Sequence, residues 1–172
     1  DGLGLTRTDV VIALAASGSA PYVVAGLEHA RRKGALTIGM LNSPGGKVGA
    51  VADIAILLDT GPEFLAGSTR MKAGTSQKVA LNIISTGVMI RLGFVYRGKM
   101  VEMRATNAKL RERSVRMVSE LTGAAPELAR QTLEQADGVI KLATVMLLKS
   151  LDRKAAEAAL AAAGGNLRKA LA

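Results

Sequence analysis

Three runs of apolar residues, separated by polar and glycine-rich segments, dominate the first sixty positions of the chain. These runs are Val10–Ala16, Leu36–Leu41 and Ile54–Leu58. Nearly continuous apolar runs of this length are typical of parallel strands that are covered on both faces. A helix is predicted between the first two, starting at Pro21 and ending at Lys33 before Gly34. A short helical turn around Val48–Ala52 precedes the third. This order predicts a parallel α/β layer with right-handed crossovers.

The central part of the chain predicts one long helix followed by an extended pair. The apolar periodicity runs from Thr69 to Leu92 and predicts a largely buried helix. Either Ser68 or Thr75 could cap its start, and we favour Ser68. Phe94–Met103 carries a Tyr96–Lys99 turn between apolar patches, which indicates an extended pair or an irregular crossing.

The last part of the chain is helical and contains an internal repeat. A charged helix is predicted from Thr106 to about Leu121. The repeated pattern is Leu133, Ala136, Gly138, Ile140 and Ala143, which recurs as Leu160, Ala163, Gly165, Leu167 and Ala170. Each copy predicts a helix, a glycine turn and a second helix. We expect a small helical bundle that serves packing or dimer formation, with no catalytic chemistry of its own.

Composition narrows the class of protein. Hydrophobic residues make up 49% of the chain and aromatic residues only 2%, so the core must consist of aliphatic side chains and methionine. The absence of cysteine excludes disulfides and thiolate metal sites, and it fits a reducing compartment. No secretory signal and no apolar run of membrane-spanning length are seen, so we expect a cytoplasmic protein without a membrane partner.

The formal net charge of +9 is concentrated in one segment. Arg91–Arg116 contains many cations, opposed only by Glu102 and Glu112. Nucleic-acid binding is the obvious functional interpretation. However, single-strand binding needs stacking aromatics, which are scarce here, so nucleic acid is not the expected partner. A solvated helical face, or a face near the cleft of an anionic substrate, is the favoured interpretation.

Three polar loops follow the three predicted strands, at residues 17–20, 42–47 and 60–69. In a parallel α/β sheet, ligands bind at the carboxyl ends of the strands, where these loops meet. The stretch Gly61–Lys78 combines glycines, hydroxyls and three cations, which suits an anion such as a phosphate ester. The alternative is an ordinary loop that caps a helix. Ser17-Gly18-Ser19 has the composition of a second, weaker anion cradle.

Few residues could act as an acid or a base. Glu63 is the only acid in the third loop, where it could act as a base or bind a sugar hydroxyl. Alternatively, it is a loop acid favoured by the nearby helix N-terminus. His29, the single histidine, lies within a predicted helix and suits a surface or packing role. The sequence shows no Ser/His/Asp set and no metal-ligand cluster.

Several motifs together resemble a known family. They are Gly61-Pro62-Glu63, Gly67-Ser68-Thr69-Arg70-Met71-Lys72-Ala73-Gly74-Thr75, Ala15-Ala16-Ser17-Gly18, Met89-Ile90-Arg91-Leu92-Gly93 and Thr106-Asn107-Ala108-Lys109-Leu110. They resemble the N-acetylmuramic acid 6-phosphate etherases and glucokinase regulatory proteins, a branch of the sugar isomerase (SIS) superfamily. The resemblance covers essentially the whole chain, and it is closer to the bacterial etherases.

The resemblance implies a partial three-layer SIS sandwich over residues 1–105 and a C-terminal helical module over residues 106–172. It implies a homodimeric, cofactor-free cytoplasmic lyase of peptidoglycan recycling. Its phosphorylated amino-sugar substrate would lose a D-lactyl ether group, with glutamates as acid and base. By this resemblance, the residues that would hold the phosphosugar are Ser17, Gly18, Ser19, Ser68, Thr69 and Arg70. Lys72 of the same loop is a further binding candidate, and Glu63 is a catalytic candidate from its place in the loop alone.

Two departures from the family pattern qualify these expectations. Ser19-Ala20-Pro21 stands where etherases usually have Arg-Thr-Pro, and it is similar to the regulatory branch. The family's catalytic glutamates and its first phosphate loop lie upstream of every match. The chain therefore resembles a C-terminal portion, and we expect it to be inactive alone. The alternative is a non-catalytic sensor of sugar phosphates.

Overall fold

The computed structural model describes residues 2–172, which form two compact units. The first unit ends at Ile84 and the second comprises Ser85–Ala172, so the division falls inside the longest helix. The domain boundary predicted after residue 105 stays a prediction. Over residues 2–172, no helix has both the length and the apolar character needed to cross a membrane.

Unit 1 is an α/β layer, as predicted. Its elements are β1 (Val10–Ala15), α1 (Pro21–Arg32), β2 (Leu36–Leu41), α2 (Lys47–Val51), β3 (Ile54–Leu57) and the first part of α3 (Lys72–Arg91). The three strands form a parallel sheet in the order β1-β2-β3. Ala15 is paired with Leu41, and Leu41 with Leu57, so the strands end at one edge of the sheet. The loops that follow them therefore leave from the same edge.

The core of unit 1 lies between the sheet and the helices α1 and α2. Leu27 of α1 and Val48 of α2 are fully buried and pack with Ala15 of β1. Gly39 of β2 permits this packing, because a Cβ there would lie 2.8 Å from Cγ1 of Val48. Burial of Leu27 alone contributes about 2 kcal/mol to the stability of this layer.

Asp53 joins the starts of β2 and β3. One carboxylate oxygen accepts hydrogen bonds from the backbone amide of Thr37 at 3.0 Å and from its hydroxyl at 2.7 Å. These bonds lower the pKa of Asp53, and the nearby charge of Arg31 lowers it further. The carboxylate therefore has a structural role.

Apolar faces of unit 1 and of α3 are more exposed than the sequence pattern predicts. Val10 is 54% exposed and Leu57 is 48% exposed, although both lie in strands predicted to be covered on both faces. In α3 only Ala73 is buried, and Ile83 is 67% exposed. The prediction of a largely buried helix is therefore wrong for this chain, because no other element among residues 2–172 covers most of its apolar side chains.

Unit 2 begins in α3 and continues through a two-stranded hairpin and five helices. These elements are β4 (Val95–Tyr96), β5 (Lys99–Met100), α4 (Ala108–Thr122), α5 (Pro126–Gln135), α6 (Ile140–Lys149), α7 (Arg153–Ala162) and α8 (Leu167–Leu171). The hairpin confirms the predicted extended pair. Its turn is formed by Arg97 and Gly98, both with positive φ, as a tight two-residue hairpin requires. Asn107 caps α4 by accepting a hydrogen bond from the Leu110 amide at 2.9 Å.

The core of unit 2 surrounds α6, in which every residue from Ile140 to Met146 is buried. The predicted repeat is confirmed in the backbone. The Gly138 amide donates to the Leu133 carbonyl at 2.8 Å, and the Gly165 amide donates to the Leu160 carbonyl at 2.8 Å. Both glycines have left-handed φ, which closes the preceding helix in the same way in each copy.

Candidate phosphosugar site

The first two loops at the carboxyl edge of the sheet are packed directly against each other. The Gly18 carbonyl accepts a hydrogen bond from the Val48 amide at 2.8 Å, and the Ala16 carbonyl accepts one from the Asn42 amide at 3.0 Å. A Cβ at Gly46 would lie 2.6 Å from the Gly18 Cα, so the close approach requires glycine there. The predicted convergence of these two loops is therefore confirmed.

Polar groups of the first loop remain available to a ligand. Ser17 and Ser19 are exposed, and the only hydrogen bond between them runs from the Ser19 amide to the Ser17 hydroxyl at 3.3 Å. Helix α1 starts after Ala20, which offers no side-chain cap to the amides of the first turn. Free amides at a helix start and adjacent hydroxyls together suit an oxyanion.

Lys47 is a candidate that the sequence reasoning missed. It follows Gly46 directly and is exposed, with no ion pair or side-chain hydrogen bond within residues 2–172. The Gly18–Gly46 contact therefore brings a cation next to the Ser17–Ser19 loop. The signal in the sequence was the glycine pair that precedes Lys47, but its partner loop lies nearly thirty residues away.

Helix α3 begins at Lys72, three residues later than predicted, so the favoured Ser68 cap is wrong. The cap is Glu63, whose two carboxylate oxygens accept hydrogen bonds from the backbone amides of Lys72 and Ala73, each at 3.0 Å. Thr69 and Arg70 form a turn ahead of the helix. A carboxylate of the chain itself thus occupies the positive end of α3, where negative charge is favoured.

The electrostatics of Glu63 favour a structural role over acid–base catalysis. The hydrogen bond from the Ala73 amide and then that from the Lys72 amide lower its pKa, and the charge of Lys72 adds to this. A glutamate with a lowered pKa is a weak base at neutral pH. Of the two interpretations that the sequence left open, the arrangement supports a loop acid at a helix start.

The other predicted residues of the third loop differ in their availability. Ser68 is partly buried and its amide donates to the Leu65 carbonyl at 3.0 Å. The ammonium of Lys72 donates to the Pro62 carbonyl at 2.9 Å, so it is partly engaged within the loop. Thr69 and Arg70 are exposed, and their side chains have no hydrogen bond or ion pair within residues 2–172. These two are the side chains of the loop that a ligand could engage without breaking existing contacts.

Asn42 fixes the base of this region and was not singled out from the sequence. Its amide nitrogen donates to the Leu58 carbonyl and to the Ser76 hydroxyl, both at 2.8 Å. Its carbonyl oxygen accepts from the Gln77 amide at 2.8 Å. The side chain therefore joins the end of β2 to the segment after β3 and to α3. The available signal was a single asparagine directly after a buried strand.

The described residues offer no evident metal site. Within residues 2–172, no three His, Asp or Glu side chains lie together as a bound ion would require. The chemistry of this edge rests instead on hydroxyls, backbone amides and the cations Lys47 and Arg70. Such a donor set binds an oxyanion and its attached hydroxyl groups.

Comparison with known proteins supports this interpretation. The SIS domain family model matches residues 3–86, which contain all three loops. N-acetylmuramic acid 6-phosphate etherases from several bacteria are similar along almost the whole chain. The one from Deinococcus radiodurans is 48% identical over 95% of this chain and 53% of its own length. The one from Cronobacter sakazakii is 49% identical over 98% and 57%. The one from Mycolicibacterium smegmatis is 48% identical over 99% and 57%.

The similarity confirms the family predicted from the motifs. The chain spans little more than half of the length of each of these three relatives.

Proposed function

We propose that this chain, which belongs to the etherase branch of the SIS superfamily and corresponds to the C-terminal portion of its relatives, binds a phosphorylated amino sugar. The observation that carries the proposal is the packing of the Ser17–Ser19 loop against Gly46 at the carboxyl edge of the sheet. This contact presents hydroxyls and the open start of α1 at one place. A phosphate ester is the ligand that such a donor set fits best.

In this proposal the phosphate group lies against the first loop. The Ser17 and Ser19 hydroxyls and the first-turn amides of α1 donate to its oxygens, and Lys47 supplies charge. Gly18 lets the first two loops approach each other, because a Cβ there would lie 2.9 Å from the Gly46 Cα. Thr69, Arg70 and Ser68 of the third loop would bind the rest of the phosphosugar, with Lys72 in a supporting position.

The complete protein would then act as a carbon–oxygen lyase on N-acetylmuramic acid 6-phosphate. Elimination breaks the bond between the sugar and the ether oxygen of the D-lactyl group, which leaves as D-lactate. Addition of water to the resulting double bond gives N-acetylglucosamine 6-phosphate. A base must take a proton from the carbon next to the reacting one, and an acid must protonate the leaving oxygen.

Glu63 is poorly suited to either role, because backbone amides hold both of its oxygens. We infer that acid–base groups come from the part of the relatives that has no counterpart in these residues. The 172 residues alone should therefore bind phosphosugar weakly and release no D-lactate. The protein would need no cofactor and would serve peptidoglycan recycling in the cytoplasm.

A homodimer is part of the same proposal. The exposed apolar side chains of α3, among them Val79 and Ile83, leave surface that water does not favour. A second copy or the remaining part of the protein would cover it.

A regulatory sensor of sugar phosphates is the second candidate. It is favoured by one observation, the Ser19-Ala20-Pro21 sequence at the start of α1, which leaves that helix without a side-chain cap. The lyase and the sensor would use the same binding site, but only the lyase would convert the bound phosphosugar to products. Release of D-lactate from N-acetylmuramic acid 6-phosphate by a protein of the relatives' full length would decide for the enzyme.

The binding proposal is tested by calorimetric titration of the 172-residue chain with N-acetylglucosamine 6-phosphate and with unphosphorylated N-acetylglucosamine. We expect that only the phosphorylated sugar binds. Ser17→Ala and Arg70→Ala should each weaken binding by about tenfold, the loss of roughly one charge-assisted hydrogen bond. Ser43→Ala, which alters an exposed serine of the neighbouring loop, is the matched control. Equal binding of the two sugars would contradict the proposal.

A further inference from the structure

Unit 2 contains an open cleft of about 1030 Å³ that the phosphosugar proposal does not use. Its walls are the end of α3, the β4–β5 hairpin and one face of α4, all of which belong to unit 2. The volume is close to that of sites for small molecules, which hold roughly 300–1000 Å³.

Free positive charge lines one wall of this cleft. Lys109, Arg113 and Arg116 are spaced at i, i+4 and i+7, which places them on one face of α4. Lys109 and Arg113 are exposed and form no ion pair or side-chain hydrogen bond within the described residues. Arg116 likewise forms no ion pair or side-chain hydrogen bond within the described residues; the pKa values of Glu112 and Glu120 are lowered first by Arg130 and Lys99, respectively, and only then by the charge of Arg116.

The acidic residues of the cleft do not neutralise these cations, because each is already paired. Glu120 forms an ion pair with Lys99, whose hydrogen bond and charge lower the pKa of the glutamate. Glu102 forms an ion pair with the buried Lys141. The stripe on α4 therefore retains a surplus of positive charge that faces the cleft.

The remaining walls offer hydroxyls and apolar surface. Ser85 and Thr86 carry hydroxyls that have no hydrogen bond within residues 2–172. Met89, Phe94 and Met117 contribute apolar surface. An anion that also carries an apolar or sugar body would satisfy both kinds of surface, whereas a bare inorganic ion would use only the charged wall.

The aromatic residues argue against single-stranded nucleic acid at this place. Tyr96 is buried, and the guanidinium groups of Arg97 and Arg168 lie 5.5 Å and 5.6 Å from its ring centroid. Lys141 lies 5.0 Å from the ring centroid of Phe94. The buried ring of Tyr96 is therefore not free to stack on a base, and Phe94 alone does not provide the series of stacking rings that such binding uses.

We propose that this cleft is a second anion site, which binds a small organic oxyanion, a carboxylate or a phosphate on a sugar or apolar body, through Lys109, Arg113 and Arg116. The site is separate from the loops of unit 1 and does not depend on the function proposed for them.

The test is a nuclear magnetic resonance titration of the 172-residue chain with two probes. N-acetylmuramic acid supplies a carboxylate without phosphate, and N-acetylglucosamine 6-phosphate supplies a phosphate without carboxylate. We expect at least one of them to shift the amide signals of residues 85–89 and 107–117, and the effective probe identifies the anion. Shifts at residues 17–19 and 46–47 report the unit 1 site separately, so failure of either proposal can be recognised by itself.

Arg113→Gln should weaken this binding by about tenfold, the effect of one lost charge-assisted contact. Arg111→Gln is the matched control, because it removes the same charge from the same helix at an exposed position outside the cleft. Neither substitution breaks a hydrogen bond or ion pair among the described residues, so both variants should unfold at the wild-type temperature.

Three outcomes would overturn the proposal. They are the absence of shifts in the cleft with both probes, equal weakening by the two substitutions, and binding of single-stranded DNA at the cleft in place of either probe.

Discussion

Gly18 and Gly46 are in direct backbone contact, and a Cβ at Gly46 would come within 2.6 Å of the Gly18 Cα and 2.7 Å of its carbonyl oxygen. Gly46 has an ordinary negative φ of −67°, so its requirement for glycine comes from this contact alone. The contact sets the distance between the two loops that we propose to bind phosphate.

Gly46→Ala should therefore separate the loops. Because the obstructing atoms belong to the backbone, relief requires movement of a whole loop, and we expect a loss of about 1–3 kcal/mol in the free energy of unfolding. Urea denaturation measures this loss. The calorimetric titration with N-acetylglucosamine 6-phosphate should show weaker binding as well.

Gly49→Ala is the control for this substitution. The nearest atom to its Cβ would be 3.6 Å away, which is an ordinary contact, and alanine favours the helix in which it lies. We expect Gly49→Ala to be neutral or stabilising by up to about 1 kcal/mol. Similar losses in both variants would mean that the Gly18–Gly46 approach is not the limiting contact.

Glu63 should make the start of α3 sensitive to acid. Its pKa is lowered in the folded chain, so the stabilisation that it gives is present above its ordinary pKa of 4.5 and is lost as the pH falls through the lowered value. Glu63→Gln cannot titrate and should lack this part of the pH dependence. Amide hydrogen exchange at Lys72 and Ala73, followed from pH 5 downwards, measures the difference.

Other carboxylates with lowered pKa values, such as Asp9 and Asp53, also contribute to the acid dependence, and they are the same in the wild type and in Glu63→Gln. The wild type must therefore be compared with Glu63→Gln at each pH. Identical acid profiles at the start of α3 would show that the two amide hydrogen bonds contribute nothing there.

The sequence predicts the limits of a helix or strand well where neighbouring residues set those limits. Strand β2 has the predicted limits, Leu36–Leu41, because a mostly apolar run lies between Gly34 and Asn42. The start of α3 could not be found in this way. Its capping group, Glu63, comes from nine residues upstream, whereas the local pattern offered hydroxyls at the usual positions.

The burial of α3 and the cleft beside α4 could also not be predicted from the sequence. The apolar periodicity of α3 identifies the helix correctly but cannot say whether a partner for each face is present in the chain. In the same way, the charge of Arg91–Arg116 indicates a basic surface. The cleft beside Arg113 arises only because the β4–β5 hairpin stands next to α4, which local charge does not encode.

Asn42 should be essential to the position of α3 at the proposed site. Asn42→Ala removes three hydrogen bonds of 2.8 Å and leaves the Leu58 carbonyl and the Gln77 amide without this partner. We expect a loss of about 1–3 kcal/mol in the free energy of unfolding, measured by urea denaturation.

Asn42→Asp separates hydrogen bonding from size at this position. Aspartate has the same shape and can still accept from Gln77, but its carboxylate has no N–H to donate to the Leu58 carbonyl or to the Ser76 hydroxyl oxygen. The Ser76 hydroxyl already donates to the Ala73 carbonyl, so its hydrogen is engaged there. It should destabilise the chain at least as much as alanine does. Wild-type stability of Asn42→Asp would show that the donors are dispensable.

Lys141 should be the most costly lysine to replace in unit 2. Its residue is only 7% exposed, and its ammonium forms an ion pair with Glu102 and donates to the Gly165 carbonyl at 2.8 Å. Lys141→Met keeps the apolar length but removes the donor to the Gly165 carbonyl, whereas water can reach the half-exposed Glu102. We expect a loss of about 2–3 kcal/mol, read from amide exchange in α6.

Lys99→Met is the matched comparison, because Lys99 forms an ion pair with Glu120 where both side chains are partly exposed. Water can replace that partner, so the expected loss is below about 1 kcal/mol. A larger loss of unfolding free energy for Lys99→Met than for Lys141→Met would contradict this prediction, because the contact of Lys141 with Gly165 would then add no stability. With the expected order, the buried ammonium is what holds the turn of the second helical repeat against the segment that contains Glu102.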